Sequence, residues 1–360
     1  MRARGGAARE GGDDGNGEDG DGCNAACVPT PMVVAYEAEA VGFEDLAVVA
    51  PPGGLVAVWV EQTRATAQRD VRLWWRTQRA GAFESTVRTL RTGFDVLGIE
   101  AARSGPDEVV VAVQTVAGIE LFVVGDSDVT ATRSTGDADD RDVALAPTDV
   151  GHVVAWRRRN EVWLRERTRF VGVDERVASD AVGAVSVGTR RDPMARRGAV
   201  VYESETGLRR RSFANGIPTG EARALGSDAT SPSACASGDG LAYGYTEHAD
   251  DFEGDVRVQF EGRHTLAGTA AREVLLELAP FEEGFVALYE DGPFQWPNVA
   301  FDDAAFLPPE VDDLRALFTR ATTESRAAIA ASADGVVAGL VARVDDSRYR
   351  QLVLYSLPGT

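Results

Sequence analysis

Short apolar runs recur along the chain, each held between a turn and a polar stretch. Gly151-His152-Val153-Val154-Ala155-Trp156 is the clearest, with four consecutive apolar residues ahead of the arginine run Arg157–Arg159. An alternating pattern marks a strand with one dry face, whereas a short continuous run of β-branched and aromatic residues marks a strand buried on both faces. Six further segments carry this signature: Leu55–Trp59, Val109–Val113, Ala199–Tyr202, Leu241–Tyr245, Phe285–Tyr289 and Val336–Leu340.

The spacing of these runs is regular. Taken from the residue that ends each one (Trp59, Val113, Trp156, Tyr202, Tyr245, Tyr289, Leu340), successive separations are 54, 43, 46, 43, 44 and 51 residues. This lies in the roughly 40–50-residue range of propeller blades. Each unit opens with an apolar strand (Val143–Ala146, Val185–Val187, Ser233–Ala236, Val274–Leu278, Ala327–Ala331) and a turn such as Ser237-Gly238-Asp239-Gly240. The anchor run follows, then a more alternating strand such as Val71–Trp75 or Ile119–Val124. A polar fourth strand leads into the next unit, twice through Ser-Asp-Ala. Four strands graded from apolar to polar describe a propeller blade. The expectation is an all-β, seven-bladed β-propeller of four-stranded blades, with six or eight blades as the nearest alternatives. The blades run over about 43–92, 93–136, 137–181, 182–228, 229–271, 272–324 and 325–357.

The last unit stops after its third strand, near Leu357, and the strand Met32–Ala40 precedes the first unit with no partner of its own. Paired beside Tyr349–Leu357 it becomes the missing fourth strand and closes the ring, leaving no open junction between blades. Pro308-Pro309-Glu310 leads into Leu314, Leu317, Phe318 and Ala321 at helical spacing, which predicts a short helix over 311–322 in the sixth unit.

Composition separates residues 1–31 from the propeller at 32–360. Positions 10–22 contain only Gly, Asp, Glu and Asn, too few apolar groups to offset the entropy of ordering, so the segment reads as a charged tether. Cys23 and Cys27 follow it, either as a small disulfide loop or as reduced thiols; Cys235 falls in an apolar strand and reads as an inert small hydrophobe. The chain has a net charge of −20 and no lysine. That balance repels nucleic acid and anionic lipid, and no apolar stretch approaches the roughly 18 residues of a membrane span. Residues 157–211 run the other way, with 14 arginines against 8 acidic residues. Blade topology divides them, however: Arg157–Arg159 fall on one face and Arg190, Arg191, Arg196 and Arg197 on the other. No single patch is expected, and pairing with the acidic surface is favoured.

In period and strand order, residues 32–360 resemble bacterial seven-bladed propellers with WD40- or kelch-like repeats of divergent sequence. The tether with Cys-x-x-x-Cys resembles the stalk of a surface lipoprotein, although no apolar segment precedes it. The Trp-Asp dipeptide of WD40 repeats is absent, so the resemblance assigns no functional residue. Ser-x-Asp-Gly at Ser237 and Ser332 sits between first and second strands, where it reads as a hairpin turn and not as the Asp box of sialidase-like propellers.

Within a blade, loops between second and third strands share a face with the blade-to-blade loops. That rule gathers Asp137, Asp139, Asp140, Asp142, Arg157, Arg158, Arg159, His248, Asp250, Asp251, Asp345 and Asp346 on one face. Asp140, Asp142, Asp250 and Asp251 are the candidate acid and base for a glycan hydrolase or lyase, which needs carboxylates roughly 5–10 Å apart. The others are candidate binding residues. No metal-ligand spacing appears and no cofactor is expected, a calcium ion on the acidic loops being the one alternative. The function expected is non-enzymatic: a monomeric binding or scaffolding propeller outside the cytoplasm, with a protein or glycan partner and no nucleic acid. A propeller-type glycan hydrolase or lyase is the alternative.

Overall fold

In the computed structural model of the chain, the apolar run Gly151–Arg158 is a strand whose side chains alternate between two separate cores. Val153 and Ala155 pack with Leu164, Val187 and Tyr202, while Val154 and Trp156 pack with Val110, Ala112, Ile119 and Leu121. The run is continuously apolar because the strand lies between two neighbouring sheets and has no wet face. Val109–Val113 divides in the same way, its odd-numbered residues facing one core and its even-numbered residues the other.

The structure describes residues 31–357 apart from 40, 53, 64, 80–81, 126–127, 168–171, 191–195, 238–239, 249–253, 260–262, 266–272, 282–283, 292–295, 302–326, 333–334 and 344–348. The tether, Cys23, Cys27 and the helix expected over 311–322 therefore lie outside the described residues.

The described strands form successive antiparallel meanders. The first sheet holds β2 (Val41–Val49), β3 (Gly54–Thr63), β4 (Arg69–Arg79) and β5 (Ala82–Gly93). The second holds β6 (Val96–Arg103), β7 (Glu108–Thr115), β8 (Gly118–Gly125) and β9 (Val129–Ser134). The third holds β10 (Asp140–Thr148), β11 (Gly151–Arg158), β12 (Glu161–Arg167) and β13 (Asp174–Ala178). The fourth holds β14 (Ala181–Arg190), β15 (Arg197–Ser204), β16 (Gly207–Ala214) and β17 (Ile217–Gly226). The fifth holds β18 (Ala229–Ser237), β19 (Gly240–His248), β20 (Gly254–Gln259) and β21 (Arg263–Thr265). The sixth shows β22 (Glu273–Phe281), β23 (Gly284–Asp291) and β24 (Trp296–Phe301). The last holds β25 (Ala327–Ser332), β26 (Gly335–Arg343) and β27 (Tyr349–Leu357).

The first strand of each sheet packs on the first strand of the next, from β2 on β6 through to β22 on β25, and β25 packs on β2. Successive antiparallel meanders that share cores between sheets, with few long connections, are the arrangement of a propeller-type fold. No helix occurs among the described residues.

The N-terminal strand β1 (Pro31–Glu39) pairs antiparallel with β27, as its lack of a local partner predicts. The first and last sheets share one core, in which Leu46, Val48 and Trp59 meet Ala328, Ala330, Leu352 and Leu354. Tyr36 of β1 caps it, with its ring 4.9 Å from that of Trp59. Gly339 of β26 is required there, because a Cβ would stand 2.6 Å from a methyl of Val48.

Strand register places Ala47, Glu100, Ala144, Ser186, Ser233, Glu277 and Ala328 at one equivalent position of the first strands of the described sheets. Three of these side chains tie their strand to the next sheet. Ser186 Oγ accepts the Ala234 N–H at 3.0 Å, Ser233 Oγ the Leu278 N–H at 2.9 Å, and Glu277 Oε2 the Ile329 N–H at 3.0 Å. Each tie satisfies an N–H that its own sheet leaves unpaired, because nothing pairs with the outer edge of a first strand.

Candidate functional site

Asp137, Asp139, Asp140 and Asp142 do meet Arg157, Arg158 and Arg159, and the two sets interdigitate. Arg157 and Arg158 belong to β11, and the turn follows at Arg159, which has φ +58°. Arg157 Nε donates to Asp142 Oδ2 at 2.6 Å. Arg158 lies 3.3 Å from Asp137 and grips Asp140 with both arms, at 2.6 and 3.1 Å. Arg159 pairs with Asp139 at 2.7 Å in solvent. Asp140 has no exposed surface and also accepts the Trp156 Nε1–H at 3.1 Å. The hydrogen bond it donates to Asp140 raises the pKa of Arg158. His248 Nε2 lies 2.7 Å from Thr230 Oγ1. Asp250, Asp251, Asp345 and Asp346 lie outside the described residues. Among the described residues, no three His, Cys, Asp or Glu side chains are grouped to hold a metal ion.

A second group of carboxylates lies on the first strands. Glu277 is half-buried, and enclosure by the surrounding strands pushes its pKa up to about 7. Glu100 keeps accessible surface but is ringed by protein, and this enclosure, ahead of the charges of Glu277 and Asp45, holds it well above the usual carboxylate range. Asp45 accepts the Ile99 N–H at 2.8 Å, another tie between adjacent sheets. The Cys235 thiol is buried, which raises its pKa and suits an inert packing role.

The third feature is a cleft of about 730 Å³ between the fourth and fifth sheets. It opens on the side of the β14–β15 and β16–β17 hairpins, away from the turn at Arg159. Its walls carry Arg190, Arg197 and Arg210 with Ser212, Phe213, Thr219, Leu241, Tyr243 and Gln259, and among the described residues no acidic one lines it. Arg190 and Arg197 are directly opposed in the β14–β15 register. Like charges in that relation disfavour the pairing, by roughly 0.2–1 kcal/mol. Arg210 lies over the Tyr243 ring, 4.9 Å from its centroid. Gly198 leaves room for the Phe213 ring behind the cleft wall, since a Cβ there would run into that ring and the Gly188 carbonyl. Gln259 Nε2 donates to Tyr245 Oη at 3.3 Å, which fixes its amide.

Sequence reasoning sends Arg190 and Arg197 to the side opposite Arg157–Arg159 and expects no patch there. The structure adds Arg210 from β16 and gives the two a shared wall. One local signal was available: an eight-residue span from Arg190 to Arg197 joining two consecutive strands puts the two side by side. The contributions of Phe213, Tyr243 and Gln259 depend on how two sheets dock and leave no local signal.

No family model and no curated protein matches the sequence. Among solved structures, the chain is similar to AofleA from Arthrobotrys oligospora, with 9% identity over 76% of this chain and 85% of that one, at a TM-score of 0.46. It is similar to TolB from Acinetobacter baumannii, with 10% identity over 92% and 66%, at 0.43. It is also similar to the SapL1 lectin in complex with alpha methyl fucoside, with 11% identity over 77% and 99%, at 0.47. No residue or ligand carries across at these values. Strand pairing and shared cores define the class, an all-β protein of propeller type.

Proposed function

We propose that the chain is a seven-bladed β-propeller closed by β1, and that it is a non-enzymatic binding scaffold taking its ligand in the cleft between the fourth and fifth sheets. The cleft carries this reading: three arginines and, among the described residues, no carboxylate line one cavity in a chain of net charge −20. Closure is supported by the pairing of β1 with β27 and by the core shared between first and last sheets. An extracytoplasmic location rests on the stalk-like composition of residues 10–22, and mapping the mature N-terminus in cell fractions tests it. Among the described residues, no helix is long and apolar enough to cross a membrane.

The binding reading is tested by screening the immobilised full chain against soluble saccharides and small organic acids, beside the Thr219→Trp variant. Thr219 is exposed at the cleft wall, so an indole there fills the cavity without disturbing a core. Ligands retained by the native chain and lost by the variant are expected. Ligands bound equally by both would remove the cleft from the function.

One observation favours the hydrolase reading: Glu277 titrates near neutrality, as a general acid does. Its position is nevertheless that of Ser186 and Ser233, which make the same backbone tie. Asp140 and Asp142 are both held by arginine. Hydrolysis of a glycan by the native chain that Glu277→Gln abolishes would reverse the preference.

A further inference from the structure

We propose that the cleft between the fourth and fifth sheets is built for an acidic sugar, a saccharide ring bearing a carboxylate. The inference rests on the binding reading above and adds the ligand's class. It starts from three consecutive residues of β16. Arg209 donates to Asp180 at 2.8 Å, and Arg211 donates to the Gly220 and Val177 carbonyls. Arg210, between them, points to the opposite side of the strand and into the cleft. Among the described residues its guanidinium holds the Tyr243 ring and no carboxylate. Elsewhere in this acidic chain guanidinium groups meet carboxylates, as Arg158 meets Asp140 and Arg165 meets Asp174.

A guanidinium stacked on an aromatic ring uses its face and leaves its N–H edges in plane. Those edges match the two oxygens of a carboxylate, and stacking removes much of the rotational freedom that binding would otherwise have to restrict. The opposed pair Arg190 and Arg197 adds positive charge on the same cavity.

The remaining lining selects a sugar among anions. Gln259 has its amide nitrogen engaged by Tyr245 Oη and the Leu225 carbonyl, which leaves Oε1 to accept from a ligand hydroxyl. Ser212 and Thr219 supply hydroxyls from the exposed wall, and Leu241 gives an apolar surface for the C–H face of a ring. A volume of about 730 Å³ suits a small ligand or the end of a chain. Nucleic acid fits poorly, because a long polyphosphate would meet the field of a chain with net charge −20.

Titration calorimetry on the full chain tests the assignment with five probes: a trihexuronate, the neutral trihexose of the same linkage, a sulfated disaccharide, inorganic phosphate and a single-stranded oligonucleotide. The trihexuronate is expected to bind best, more weakly as salt rises. Arg210→Gln should weaken it about tenfold or more, and Arg210→Lys should restore only part, because a point charge replaces a fork. Equal binding of the neutral and acidic trisaccharides, or an unchanged affinity in Arg210→Gln, overturns the charge assignment. If Thr219→Trp still abolishes that binding, the cleft remains the ligand site. Preference for the sulfate, phosphate or oligonucleotide probe overturns the carboxylate assignment. No binding by any probe overturns it too; a ligand from the broader screen that Thr219→Trp blocks would preserve the binding reading alone.

Discussion

Asp140 separates a catalytic carboxylate from a structural one, and the distinction is measurable. Its side chain is fully buried and accepts three hydrogen bonds, one from Trp156 Nε1 and two from Arg158. Asp140→Ala leaves the buried indole N–H without an acceptor, at a cost of about 1–3 kcal/mol. It also breaks a bidentate pair with one member buried. Cutting one partner from a buried pair costs about 3–5 kcal/mol. Arg158 offsets part of this, because its side chain is 23% exposed and Asp137 lies 3.3 Å away. The expected loss is therefore about 3–4 kcal/mol. With an unfolding entropy of roughly 2.1 cal/mol/K per residue, cooperative melting of the whole chain translates this into a fall of about 4–5 °C in Tm. Calorimetry on the native chain, Asp140→Ala and Asp139→Ala measures it. The exposed pair of Asp139 with Arg159 serves as the control and should leave Tm unchanged. Asp140→Leu combined with Arg158→Leu should recover most of the loss, since no unpaired charge then remains. A Tm for Asp140→Ala within about 1 °C of native, or a double variant worse than both single ones, would refute the structural account.

Other outcomes follow from single contacts. Gly198→Ala should cost about 1–3 kcal/mol in chemical denaturation, because its Cβ meets Phe213 and the Gly188 carbonyl, whereas Gly42→Ala, with open space around it, should be nearly silent. Glu277 has a folded-state pKa raised to about 7, so its contribution is complete below the unfolded value of 4.5 and is lost as pH rises through 7. Glu277→Gln keeps an acceptor for Ile329, and melting across that window should show the variant gaining on the native chain with rising pH; parallel curves would refute this. His152 runs the other way. Burial, then Arg167, pushes its pKa from 6.5 down to about 4, while Ser104 Oγ stands 2.8 Å from Nδ1. Stability should therefore fall between pH 6.5 and 4 in the native chain and stay flatter in His152→Asn.

Much of the architecture was legible because it is written in local periodicity. The continuous runs at Val109–Val113 and Gly151–Trp156 mark strands with two dry faces, and only sheets packed on both sides supply those. The spare strand before Val41 and the short final unit pointed to each other, and β1 pairs with β27. The acidic turn at 137–142 lies against the arginines at 157–159 because the antiparallel register of β10 and β11 joins them. Sequence alone did not show that Asp140 is enclosed and Asp139 exposed, because burial depends on which side of the strand meets the neighbouring sheet.

The chain by itself determined the repeat, the strand order, the dry faces and the sign of the surface charge, because each is a property of neighbours in sequence. Tertiary packing alone decided the chemistry of the cleft. Register within the fourth sheet sets Arg190 opposite Arg197, and Arg210, Tyr243 and Gln259 join them only in the cleft where the fifth sheet docks. It also decided the raised titration of Glu100 and Glu277, whose local sequences are those of ordinary strands. Hydration of a carboxylate depends on what surrounds it from every direction, and strands far apart in the chain supply those surroundings.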